Sequence, residues 1–251
     1  MSQTCIARFV HKFEQPCIGT VHSVFSRAVN VTFNSGEGTQ LLTLVTSATP
    51  ALPDSLCVPE SLLGMLCIHD ELTLFRDRVS VRGLNFCIKH DKEWSGFVKP
   101  RSDRPDAVSF LRATCRLRSG FELLPQSLRD RVDTSLQTND FEAFFGLGIG
   151  LTPSFDDACI GVMAVSRVLG ESVPQVADLS MTTDISAHYL RLAMMGFFSQ
   201  PVLEVIDALF TPTKLIRSIQ ALQAFGATSG CDMIHGMRQR LISFSRLRGG
   251  N

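Results

Sequence analysis

The sequence has no surplus of either charge: 24 lysines and arginines stand against 24 aspartates and glutamates. A role on nucleic acid or at an anionic membrane therefore loses its usual electrostatic support. It also has no Cys-x-x-Cys pair. Cys5, Cys17, Cys57, Cys67, Cys87, Cys115, Cys159 and Cys231 lie scattered in mostly apolar surroundings, which argues against zinc or dithiol redox work and predicts buried free thiols in a reducing compartment. No window reaches the roughly 18 uninterrupted apolar residues of a membrane span. The opening Met-Ser-Gln-Thr-Cys-Ile-Ala-Arg-Phe-Val-His-Lys lacks the charged segment followed by a long apolar one that marks a leader. The expectation is a cytoplasmic protein with neither a membrane nor a nucleic-acid partner.

What is there divides in two. Thr20 to Phe33 alternates, Leu41 to Ser47 is short and apolar, and Leu72 to Ile88 reads as paired strands. Asn34-Ser-Gly-Glu-Gly38 offers a hairpin loop, Thr49-Pro-Ala-Leu-Pro-Asp54 a break, and Arg76-Asp-Arg78 a tight reversal. From Asp91 a charged, proline-bearing stretch through Trp94, Pro100, Arg101, Arg104 and Pro105 changes the texture. Helical periodicity then predicts helices near 106–119, 125–135, 139–146, 156–170, 185–199, 201–210, 213–225 and 230–246, with Pro201 and Pro212 each starting one. The expected fold is α+β: an antiparallel barrel-like or sandwich domain over 1–98 and an all-helical domain over 99–251.

The most informative run is Gly146-Leu-Gly-Ile-Gly-Leu-Thr-Pro-Ser-Phe-Asp-Asp-Ala-Cys-Ile-Gly161. Gly146, Gly148 and Gly150 permit angles or approaches that side chains forbid, and Thr152, Ser154, Asp156 and Asp157 cluster where a helix begins. Near the C-terminus Thr228-Ser229-Gly230-Cys231-Asp232-Met-Ile-His-Gly236 repeats the spacing Ser-x-x-Asp-x-x-x-Gly. In each copy the serine is placed to cap, the aspartate to return the bond or favour the positive dipole end, and the glycine to admit another element one turn later. If the two starts face each other, their first-turn N–H groups form an anion site. Two ordinary caps with tight helix packing explain the same residues.

Other features carry paired readings. Arg191, in an otherwise largely apolar helix, suits a carboxylate or phosphate of a ligand or a neighbouring aspartate. His188 and His235 belong to the residue type whose unperturbed pKa suits acid–base work near neutrality, yet single histidines on packed helices are usually satisfied core residues. Phe141, Phe144, Phe145, Phe197 and Phe198 are spaced for helix packing. Asp156-Asp157 suits a magnesium ion or, equally, a cap.

With these residues in hand the chain resembles a known family, the AllH subunit of oxamate carbamoyltransferase and its relatives. The resemblance rests on Gly148-Ile-Gly-Leu-Thr-Pro-Ser-Phe-Asp-Asp157, on Tyr189-Leu-Arg-Leu-Ala with Gly196-Phe-Phe-Ser-Gln-Pro-Val-Leu203, and on Gly226-Ala-Thr-Ser-Gly-Cys-Asp232. It covers roughly the last hundred residues; the first half matches in size and texture. The chain departs from the family pattern at Phe155, a departure that bears on substrate fit. The resemblance implies a hetero-oligomer with two other subunits that converts oxalurate and phosphate to oxamate and carbamoyl phosphate in allantoin catabolism, a carbamate kinase then recovering ATP. On that view the two helix starts hold phosphate or the oxalurate carboxylate, Arg191 pairs with an anionic group, and Asp156, Asp157 and Asp232 orient the loops or a metal. No nucleophile is needed, since direct transfer works by positioning and electrostatics. A non-catalytic scaffold subunit, or a free-standing enzyme on another carbamoyl or acyl-phosphate compound, are the competing readings. No cofactor is demanded by the sequence.

Overall fold

The structure is a computed structural model that describes residues 16–35, 38–75, 78–88 and 94–249. The chain forms two compact units, Met1–Gly96 and Phe97–Asn251.

The first unit is one seven-stranded sheet. Strands β1 (Cys17–Val24), β2 (Ala28–Ser35), β3 (Gly38–Val45), β4 (Ser55–Cys57), β5 (Glu71–Leu74), β6 (Arg78–Val81) and β7 (Leu84–Cys87) lie in the order β4-β3-β2-β1-β5-β6-β7. The sheet is an open, curled half-barrel, so the barrel-like expectation is met and the two-sheet sandwich is not. Period-two alternation builds its core: Leu56, Leu44 and Val29 stand side by side across β4, β3 and β2, and Leu42, Val31 and Val21 across β3, β2 and β1. Helix α1 (Glu60–Leu63) adds Leu62 and Leu63 to the same cluster. On β1–β3 a buried polar row fixes the register: Thr43 donates to Asn30 (2.9 Å), and the Asn30 amide donates to Ser23 (3.0 Å).

The alternating run over 20–33 proves to be two strands, reversed at Phe25, whose N–H donates to the Ala28 carbonyl. Neither glycine nor proline marks that turn. Among the described residues every pairing is antiparallel except β3–β4, and β4 follows the Thr49–Asp54 break. The 72–88 segment holds the end of β5 and the whole of β6 and β7. Parts of both expected turns, residues 36–37 and 76–77, lie outside the described residues, as do Cys5, the opening segment and 89–93. The thiols need correction: among the described cysteines only Cys159 is fully buried, while Cys67, Cys87 and Cys115 are exposed.

The second unit is helical: α2 (Ala107–Thr114), α3 (Gln126–Thr138), α4 (Ser154–Val168), α5 (Asp184–Met194), α6 (Gln200–Ala208), α7 (Leu215–Gln223) and α8 (Ser229–Gly249), with 3₁₀ turns at Gly120–Leu123, Glu142–Phe144 and Pro212–Lys214. Three expected helices shrink, among them the 185–199 helix, which ends at Met194. The 106–119 helix ends at Thr114, whose hydroxyl bonds back to the Phe110 carbonyl. The 139–146 segment keeps one 3₁₀ turn, because Asn139 is left-handed (φ 62°) and already ends α3. Among the described residues no helix is long and apolar enough to cross a membrane.

Helix α4 is buried almost throughout, and its most extensive contact is with α8. The crossing is backbone to backbone. A Cβ added at Gly161 would lie 2.0 Å from the Met233 carbonyl oxygen, and one at Gly236 would lie 1.8 Å from that of Ala158. Gly236→Ala should therefore destabilise the helical unit by about 3 kcal/mol. Gly64→Ala, at φ −67° with the nearest atom 3.6 Å away, should change stability by less than about 1 kcal/mol; urea unfolding of both variants checks the contrast.

Candidate functional site

The glycine crossing sets the first turns of α4 and α8 against each other. Ser154 and Ser229 were expected to cap their own helices. Instead Pro153 holds the N-cap position of α4 without a side-chain bond, and the Thr228 carbonyl accepts the Asp232 N–H at the start of α8. Each serine thus stands one residue inside its helix, and its hydroxyl serves the opposite one. Ser229 bonds the Asp157 carboxyl and Ser154 that of Asp232. The exchange is reciprocal, and the motif's two halves become one polar cluster. Thr152 joins it, 3.1 Å from the Ser229 hydroxyl and bonded to Asp157, and Thr228 bonds Asp232.

Asp156 and Asp157, adjacent in sequence, face different partners. The Asp156 carboxylate accepts the Gly146 N–H (3.0 Å), the Ser186 hydroxyl (2.7 Å) and the Thr182 hydroxyl. It ties the glycine loop and the start of α5 to α4. Thr183 caps α5 by accepting the Ser186 N–H (3.0 Å), and its hydroxyl donates to the Leu151 carbonyl. Gly148, at φ 130°, lies so close to α4 that an added Cβ would sit 2.4 Å from the Ser154 nitrogen. The loop consumes part of the helix end: Phe155 N–H donates to the Leu147 carbonyl, and at α8 Gly230 N–H donates to that of Phe225.

The electrostatics centre on Asp157 and Asp232, 1% and 0% exposed. Burial, reinforced by the charges of Asp232 and Asp156, pushes Asp157 up to about 8, against the pull of Ser229 and Thr152. Asp232 is raised as well, by burial; the Gly120 N–H, Ser154, Thr228 and the nearby His235 oppose the rise. The Oδ2 atom of each carboxyl is buried without a hydrogen-bond partner. Among the described residues no group of three or more His, Cys, Asp or Glu side chains is placed to hold a metal ion.

Of the expected site residues the structure brings together Gly148, Thr152, Ser154, Asp157, Thr228, Ser229 and Asp232, with Asp156 as the tie to α5. Gly150 (φ 96°) sits at the open tip of the loop with no atom within 4 Å of an added Cβ. Gly230 packs on α7, an added Cβ falling 1.7 Å from the Leu222 carbonyl oxygen. Arg191 lies exposed on α5, and no hydrogen bond or ion pair among the described residues joins it to the two helix starts. His235 bonds Asp133 at 2.7 Å. Phe155 is fully buried against Phe141, Phe144 and Phe145, so it shapes the core rather than a substrate surface.

Sequence reasoning missed Gly120. Its N–H donates to Asp232 at 2.6 Å across 112 residues, and an added Cβ would fall 2.1 Å from the Ser154 oxygen. Only a Ser-Gly pair past the end of an amphipathic helix hints at it. Thr182, Thr183 and Ser186 were also missed, although a threonine pair before an aspartate is a legible helix start.

Comparison with known families agrees with this architecture. The family model for the oxamate carbamoyltransferase subunit AllH matches residues 144–241, and that for the AllH family N-terminal domain matches residues 2–94. The chain belongs to the AllH family. Its family name makes it a subunit of a carbamoyltransferase complex. No solved structure matches the chain.

The raised Asp157 has a consequence for stability in this AllH chain. Between the ordinary value of 3.8 and about 8, the folded state binds more protons at this site than the unfolded state. The contribution of Asp157 to stability is therefore full below about 4 and is lost as pH rises towards about 8. Urea midpoints measured from pH 5 to 9 should fall more steeply in the parent than in Asp157→Asn; parallel curves would refute the assignment.

Proposed function

We propose that this chain supplies a site for the conversion of oxalurate and phosphate to oxamate and carbamoyl phosphate in allantoin catabolism, acting with two companion subunits. The observation that carries the reading is the reciprocal serine–aspartate cluster, which lies within the region that the family shares. Both substrates are anions, and two helix N-termini aim their positive dipole ends at one place. The exposed Thr228 and the half-buried Thr152 and Ser229, whose hydroxyls lie 3.1 Å apart, are the outward polar groups of the cluster. A neutral Asp157 beneath them suits an anion, whereas two ionised carboxylates would repel it. Arg191 is assigned the pairing with an anionic group, and magnesium a supporting role on the phosphate. Attack of phosphate builds charge on the carbamoyl oxygen, which fixed donors stabilise more than water does.

A second reading, a partner-binding subunit whose active site lies in another chain, is favoured by three exposed apolar side chains. Leu123, Ile149 and Met181 are 96%, 93% and 74% exposed. Leu123 ends the Gly120 turn, Ile149 sits between Gly148 and Gly150, and the Met181 carbonyl abuts Gly146. All three loops meet the first turn of α4, and exposed apolar groups gathered in this way mark an interaction surface.

Carbamoyl phosphate formation from oxalurate and phosphate should be absent with the chain alone and appear when the two companion subunits are added. In that mixture Ile149→Asp should abolish co-elution while leaving the chain's own unfolding curve unchanged. An assembled but inactive mixture would overturn the substrate assignment and leave the fold untouched.

A further inference from the structure

We propose that Asp157 and Asp232 hold one proton between them and pass it, through the Ser229 hydroxyl, to the nitrogen that leaves when the carbamoyl group is transferred. The inference rests on the reading that this chain supplies the transfer site, and it gives that site the acid–base function that positioning alone does not provide.

The pair is built for one proton. Each carboxyl is bonded to the serine that opens the opposite helix, and each keeps one buried oxygen, Oδ2, without a partner. Two ionised carboxylates with orphaned oxygens buried at one helix crossing would be costly. A single proton removes one of the two buried charges and with it most of the cost of leaving an oxygen unbonded. The surroundings also decide where it rests. Asp232 faces the Gly120 N–H at 2.6 Å, a group that can only donate and so favours the carboxylate. Asp157 faces hydroxyls, which donate or accept as required. The neighbouring groups act in the same direction. Asp156 and Cys159 flank Asp157 on α4, and the Asp156 charge favours a protonated Asp157. On the other side Cys231 and His235 flank Asp232, and His235, held by Asp133 from α3, favours its charge. A divalent cation would satisfy the same two oxygens, but the described residues offer no third acidic, histidine or cysteine ligand.

The step balances. A phosphate oxygen of HPO₄²⁻ forms a bond to the carbamoyl carbon of oxalurate, and the carbonyl electron pair moves onto its oxygen. Collapse restores the carbonyl and breaks the bond from that carbon to the oxamyl nitrogen, which leaves with the electron pair. The nitrogen takes a proton from Ser229, which is refilled from Asp157. The phosphate hydroxyl proton, released as carbamoyl phosphate forms, returns to Asp157 through the Ser229 and Thr152 hydroxyls bonded to it, which restores the starting state beside an ionised Asp232. No net proton is consumed.

Two measurements test this. In the assembled complex Asp157→Asn and Ser229→Ala should each lower kcat by about 10²-fold or more. Asp157→Asn should also remove the fall in rate on the alkaline side of the pH profile, and Asp157→Glu should restore part of it. Folded, assembled Asp157→Asn and Asp232→Asn complexes that keep the parent kcat and pH profile would overturn the proposal. Infrared spectroscopy of the full chain at pH 7 should show the carbonyl stretch of a buried protonated carboxyl that Asp157→Asn abolishes. Its absence from the parent, or its loss on adding magnesium, overturns the shared proton. A parent complex that makes no carbamoyl phosphate overturns the transfer reading and the destination of the proton, while the infrared band still decides whether the pair shares one.

Discussion

The organisation of the helical unit depends on one contact: the backbone of α4 touching that of α8 at Gly161 and Gly236. An added methyl group at either position would meet a carbonyl oxygen at 2.0 Å or less, so the separation of the helices is set by main chain rather than by side chains. That separation decides what happens one turn earlier. With the axes so close, the serine in the first turn of each helix reaches the aspartate of the other instead of its own amides. The capping arrangement implied by the spacing is thereby exchanged for a crossed one, and the polar cluster is a consequence of the apolar packing below it.

Burying two carboxylates at this crossing is unfavourable taken alone. Hydroxyls from Thr152, Ser154, Thr228 and Ser229 and the Gly120 amide offset the cost, but none of them reaches either Oδ2 atom. Asp156 shows the contrast. It is as buried as Asp157, yet it receives a backbone amide and two hydroxyls and serves as a structural tie between the glycine loop, α4 and α5. Two adjacent aspartates thus divide the labour: a fully bonded one fixes the scaffold, and an incompletely bonded one is left poised to exchange a proton. Such unfinished bonding is rare in stable interiors and concentrates where chemistry needs it.

Much of this was legible in the sequence, for physical reasons that can be named. The repeated Ser-x-x-Asp-x-x-x-Gly spacing announced two helix starts and two close approaches, because glycine one turn past a polar start has few other uses on an apolar helix. The β-rich and helical halves followed from the change of period. Local pattern could not reveal the exchange of partners between the two starts, which depends on helix geometry, or the arrival of Gly120 from 112 residues away. It also failed at the Val24–Arg27 reversal, where no glycine or proline marks the turn, and at the 139–146 segment, where a separate helix was expected and, beyond the left-handed Asn139 that ends α3, only one 3₁₀ turn forms. Phe155 shows the limit of such a reading: a motif fixes neighbours along the chain, whereas the helix face decides that this side chain packs in the core against Phe141, Phe144 and Phe145.

The open side of the cluster connects chemistry with assembly. Thr152 and Ser229 are half-buried, whereas Leu123, Ile149 and Met181 stand largely exposed on the three loops around them. A site that works by fixed dipoles and by a proton held on a desolvated carboxyl gains strength as water is removed from its mouth, since every interaction there is weakened by a high dielectric. Among the described residues the apolar side chains on those loops stay exposed, at a cost that burial would recover. A companion subunit seated on them would dry the mouth and bury the apolar rim in one step. Partner binding and catalysis therefore need not be rival accounts of these loops: the same exposed residues that favour a docking role supply the dry surroundings in which the carboxyl pair can act.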